Sequence, residues 1–65
     1  MPIITVEGPE IKDMGKRRAL AKALTAAAVE AYGLPPQAMV VILHENPPEC
    51  VASGGELICD RGPRG

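Results

Sequence analysis

Sixty-five residues leave room for one domain, and a chain this short buries too little apolar surface to outweigh its ordering entropy without a staple or a partner. Two cysteines permit one disulfide, no cluster has the spacing of a zinc site, and 46% of the residues are hydrophobic with Tyr32 the only aromatic, so oligomerisation is the expected remedy. A net charge of −1 with dispersed basic residues excludes a nucleic-acid footprint, and no apolar run reaches signal-peptide or membrane length, which makes a cytoplasmic protein with Cys50 and Cys59 reduced the expectation.

Residues 2–6, Pro-Ile-Ile-Thr-Val, are rich in β-branched side chains and open with a proline, which a strand tolerates at its first position. Gly8-Pro9 marks a turn. Asp13 predicts the N-cap of a helix that runs to Tyr32, with Gly33 as its left-handed terminator and Pro35-Pro36 beyond the stop. On a helical wheel Leu20, Ala23, Leu24, Ala27 and Ala31 share one face while Arg18, Lys22 and Thr25 lie opposite, so an alanine-rich face is expected to meet the sheet closely. The apolar run from Met39 to Leu43 suits a strand covered on both faces. A helical crossover between two strands makes them parallel, which gives a β-α-β unit.

After His44-Glu45, residues 46–53 form an irregular loop containing Pro47-Pro48. Gly54-Gly55 before Leu57-Ile58 then predicts a short C-terminal hairpin. Residues 61–65 have no core-forming pattern and are expected to be loose or docked on a neighbour. The fold class is therefore α/β (α+β), one domain over residues 1–65.

Pro2 is the residue with the most distinctive chemistry. Once an initiator Met is cleaved, a second-position proline carries a secondary amine, whereas prolines elsewhere are amides and cannot act as bases. An α-amino group has a reference pKa of about 7.7–8.0, and burial or a nearby cation lowers it toward neutral, the range a general base needs.

Pro2 with its β-branched strand, one long helix, a Pro-containing turn, the strand Val40 to Glu45, and Gly54-Gly55-Glu56-Leu57 some fifty residues after Pro2 together resemble the 4-oxalocrotonate tautomerase (2-hydroxymuconate tautomerase) family from end to end. Gly8-Pro9, Gly15-Lys16-Arg17 and Ile42-Leu43-His44-Glu45 look most like its DmpI-like branch. The resemblance implies a homohexamer built as a trimer of dimers. It also implies a cofactor-independent isomerase with no metal, in which the prolyl amine moves a proton in a small enolisable carboxylate. Two cations and an aromatic assist in the best-known members. The first cation aligns with Lys12, with Lys16 and Arg17 close by, keeping the charge but not the bidentate fork of an arginine. The second, an arginine that polarises the substrate carbonyl, aligns with Val40, and the pocket's phenylalanine aligns with Val51. The base position is kept while part of the electrophilic and apolar lining is replaced.

His44 lies on the same strand face as Val40 by alternation and is the first group to ask about for the missing charge, against the plainer expectation that it caps the strand end or bridges an interface. Arg61 could reach a neighbour's pocket, although a solvated terminal charge is the commoner outcome. Cys50 has no evident base partner for nucleophilic work, and Glu45 and Glu56 are expected in interface or hairpin contacts rather than as a catalytic pair. Two functions compete. One is a tautomerase acting on a 2-hydroxymuconate-like dienol acid, and the other is a non-catalytic ligand-binding or structural oligomer of the same fold. A decarboxylase or hydrating dehalogenase would need a partner that activates water, and the sequence offers no clear candidate.

Overall fold

The computed structural model describes residues 1–61. Four strands and one long helix follow in the order β1 (Ile3–Gly8), α1 (Met14–Tyr32), β2 (Val40–Glu45), β3 (Ala52–Ser53) and β4 (Glu56–Leu57), with 3-10 turns at Pro36–Ala38, Pro48–Cys50 and Ile58–Arg61. Strands β1 and β2 pair in parallel, Ile3 opposite Val40 through Gly8 opposite Glu45, so the β-α-β unit is present as expected. Beyond Arg61, the expectation for the tail falls outside the described residues.

β1 runs further than the sequence suggested, through Gly8 rather than stopping at Val6. The ladder explains it: the Asn46 N–H donates to the Gly8 carbonyl at 2.7 Å, so the turn is deferred to Pro9, which has no N–H to give. At its other end, the Val40 N–H donates to the Pro2 carbonyl at 3.0 Å.

α1 begins as Asp13 predicts. Its carboxylate accepts from the N–H groups of Gly15 (2.8 Å) and Lys16 (3.4 Å), satisfying orphan donors of the first turn. Gly33 closes the helix at φ 67°, its N–H donating to the Val29 carbonyl. The inward face differs from the helical-wheel reading. Leu20 and Leu24 turn inward as expected, but Ala23, Ala27 and Ala31 are exposed, and their place is taken by Arg17, Ala21, Thr25, Ala28 and Val29. Alanines at both 23/27 and 21/28 leave the wheel with little contrast, so packing on the sheet decides the rotation.

One helix covers one face of a two-stranded sheet. Ile4 and Val6 with Val41 and Leu43 are half-buried on that face, whereas Ile3 (58% exposed) and Ile42 (38%) stand on the open one. β2 is therefore covered on one face within the protomer, not on both. Ala28, 7% exposed, is the only buried apolar residue among those described, and none is fully buried. The accessible surface is 4990 Å², against about 4,000 Å² for a compact monomer of this mass. The radius of gyration is 15.2 Å, where a compact chain of this length reaches about 11 Å. That excess surface fits a chain that completes its core against other copies.

The hairpin turns at Gly54-Gly55 as expected, its first strand taken from the end of the segment read as loop. β3 and β4 pair through a two-residue turn whose central residues, Gly54 (φ 62°) and Gly55 (φ 84°), both need positive φ, the geometry that matches strand twist. Ile58 leaves the strand for a 3-10 turn instead of extending the pair.

Candidate active site

The six residues singled out from the sequence fall into two groups, separated by the length of β1. Pro2 immediately precedes β1, and Val40, opposite Ile3, opens β2 beside it. Lys12, Lys16 and Arg17 lie past the other end of β1, in the loop and first helical turn, and Val51 lines a groove of about 390 Å³ there with Glu7, Gly8, Pro9, Asn46, Pro48 and Ile58. Six residues at roughly 3.3 Å each put these ends about 20 Å apart. A single protomer does not bring the amine and the cations together.

Pro2 is half-buried, its carbonyl fixed by the Val40 N–H, and the adjoining Met1 is 85% exposed. Val40 is half-buried and apolar. The last turn of α1 has no basic residue, so this end holds no lysine or arginine among the described residues.

The opposite end is polar and cross-braced. The Arg17 guanidinium faces inward rather than toward solvent: Nη2 lies 2.9 Å from Glu45 Oε1 and 3.7 Å from Glu10 Oε2, and Nε donates to the Ile11 carbonyl. The other Glu45 oxygen accepts from the Ile11 N–H at 2.9 Å. Glu45 thus ties the loop to the helix within the protomer, rather than to the hairpin. Lys12 and Lys16 are exposed.

Sequence reasoning missed a second polar cluster. On the open sheet face His44 Nδ1 lies 2.7 Å from Glu7 Oε2, while Asn46 Nδ2 donates to Glu7 Oε1 at 2.9 Å. The hydrogen bond from His44, then that from Asn46, hold the Glu7 carboxyl below its ordinary range against slight desolvation. Glu7 stands opposite His44 in the parallel register, so aligning the two strands residue by residue is the signal that would have found it. His44 therefore makes a cross-strand contact.

Arg61 folds back on the hairpin, donating to the Ser53 carbonyl at 2.9 Å with Glu56 at 3.5 Å, which agrees with a hairpin role for Glu56 and replaces the solvated charge expected of Arg61. Cys50 and Cys59 are free and exposed. Another groove, of about 680 Å³, runs along Ala21, Thr25, Val29 and Pro36 on the helix flank and is lined by none of the candidate residues. We give it no part in the chemistry. Among the described residues no cluster is arranged to hold a metal, and no helix is long and apolar enough to cross a membrane.

A family model for tautomerase enzymes matches residues 2–61. The chain belongs to the tautomerase family. A probable tautomerase of Bacillus cereus is 34% identical over 61 residues, covering 94% of this chain and all of that protein. The solved structure of DmpI from Archaeoglobus fulgidus shares 42% identity over 91% of this chain and 100% of its own, with a TM-score of 0.81. The heterohexameric 4-oxalocrotonate tautomerase of Chloroflexus aurantiacus superposes with a TM-score of 0.82 at 27% identity, covering 95% of this chain and 100% of that one. Fold and family are those that the Pro2 and Gly54-Gly55-Glu56-Leu57 pattern pointed to, and the activity is of the tautomerase type.

Proposed function

We propose that this protein is a cofactor-independent tautomerase of small enolisable oxo-acids, with the amine of Pro2, exposed by removal of Met1, as general base. The observation that carries this reading is the setting of Pro2: its carbonyl is anchored to β2 by the Val40 N–H while Met1, on its nitrogen side, is exposed, so removal of Met1 would leave the ladder intact. The amine takes a proton from the enol oxygen and returns it to a distant carbon of the conjugated acid, as a base poised near neutral pH can do. Lys12 anchors the substrate carboxylate, with Lys16 one helical turn away adding positive charge; Val40 and Val51 line the pocket.

Because base and anchor stand at opposite ends of β1, the site joins the Pro2 end of one copy to the Lys12 end of another. The surface excess of the lone protomer supports such an assembly, and we take it to be a homohexamer. A non-catalytic ligand-binding or structural oligomer has two residues in its favour, Val40 and Val51, which stand where the best-known members carry the polarising arginine and the pocket's phenylalanine. Labelling separates the two. Intact-protein mass should show loss of Met1, and a halo-oxo-acid should alkylate Pro2 and abolish tautomerisation. Retention of Met1, or modification of Cys50 or a lysine with Pro2 untouched, would overturn the catalytic reading.

A further inference from the structure

Between Gly8 and the start of α1 lie five residues, two of them Pro9 and the cap Asp13, and Lys12 sits among them with no hydrogen bond or ion pair of its own among the described residues. Its position is set by its neighbour. Ile11 is held through both backbone groups, its N–H by Glu45 Oε2 and its carbonyl by Arg17 Nε, and the two side chains grip each other at 2.9 Å. The three contacts join the end of β2, the loop and the first turn of α1. Both side chains are about three-quarters buried (28% and 25% exposed), so the pair is screened far less than an ordinary surface ion pair. A backbone amide bonded to a carboxylate is also a charge-assisted contact, stronger than a neutral one.

From this geometry we infer that Arg17 and Glu45 are positioning residues, a clamp on Ile11 that holds the adjacent Lys12 where it can meet a substrate carboxylate. The inference rests on the anchor role proposed for Lys12. It assigns Arg17, one of the cations near the expected anchor, to orienting work through Ile11 rather than to the ligand itself. It also explains a feature that is unfavourable in isolation, since an arginine in the first helical turn opposes the helix dipole unless a carboxylate neutralises it.

The test compares Glu45→Ala, which removes the Glu45 contacts to the Ile11 N–H and to Arg17, with Glu45→Gln, which keeps an oxygen for the Ile11 N–H while losing the charge opposite Arg17. Steady-state kinetics on a dienol acid are measured alone and in a Lys12→Ala background, with native mass spectrometry to confirm assembly. Glu45→Ala should raise KM by about tenfold with kcat little changed, because a misplaced anchor weakens ground-state and transition-state binding alike. Glu45→Gln should recover part of the loss, and amide exchange at Ile11 and Lys12 should quicken in the same order. In the Lys12→Ala background Glu45→Ala should add nothing to KM. Unchanged KM in Glu45→Ala and Glu45→Gln alongside an impaired Lys12→Ala would overturn the clamp alone, as would a full tenfold increment in the Lys12→Ala background. An unimpaired Lys12→Ala would instead sink the anchor reading on which the clamp rests.

Discussion

The two ends of the β1–β2 pair are built from opposite materials. The Pro2 end is apolar, with Val40, Met39 and Ile3 around a residue whose nitrogen becomes an amine on loss of Met1, and the last turn of α1 brings it no cation. The Lys12 end has three cations within six residues, a carboxylate clamp and the Val51 groove, but no terminal amine. Each has what the other lacks. A low-polarity setting keeps an amine unprotonated near neutral pH, while a cationic one captures carboxylates. The proposed site joins the two ends by assembly, for which the open sheet face and thin core leave room.

The largest effect expected from breaking this division is at the apolar end. Pro2→Ala replaces the secondary amine by a primary one without the ring that fixes it, and steady-state turnover of a dienol acid should fall by about 10²-fold or more. Turnover equal to the wild type would remove Pro2 from the mechanism. Val40→Arg tests whether that end lacks a polarising group. One preorganised donor is worth about 10²–10³ in turnover, so kcat should rise toward that factor without loss of assembly. A rate that stays flat in a properly assembled variant would show that another group, with His44 the first to examine, already meets the developing charge.

The smallest effect concerns Glu7, at the cation-bearing end. Its carboxyl is depressed in the fold, so the stabilisation from His44 and Asn46 is fully present above the ordinary glutamate value, near pH 4.3, and is lost as pH falls through the lower folded value. A carboxyl-carbon NMR titration should place Glu7 below the ordinary range, and His44→Ala should return it upward. A Glu7 curve indifferent to His44→Ala would contradict the contact as the cause.

Much of this was legible in the residues. Asp13 and Gly33 bracket α1 because a side-chain cap and a positive φ are local demands, and the β-branched runs before and after the helix could pair only in parallel. The rotation of α1 was not legible, since alanine on both faces gives a wheel nothing to choose by. It carries Arg17 inward, onto Glu45 and the Ile11 carbonyl. Glu45 shares the inward parity of Val41 and Leu43, and an inward carboxylate demands a cation, so its partner was readable once the helix rotation was known. The separation of Pro2 from Lys12 follows from topology alone: a residue before a strand and a residue after it lie at opposite ends.

Subunit complementation tests that shared site most directly. Pro2→Ala and Lys12→Ala variants are mixed one to one, exchanged through dissociation, checked by native mass spectrometry for mixed oligomers, and assayed at substrate well below KM. If amine and anchor come from different copies, about a quarter of the sites in a random mixture regain both, and kcat/KM should rise to about a quarter of the wild-type value, far above either parent. If mixed oligomers form yet kcat/KM stays at the average of the two parents, base and anchor belong to the same chain and the shared site is contradicted.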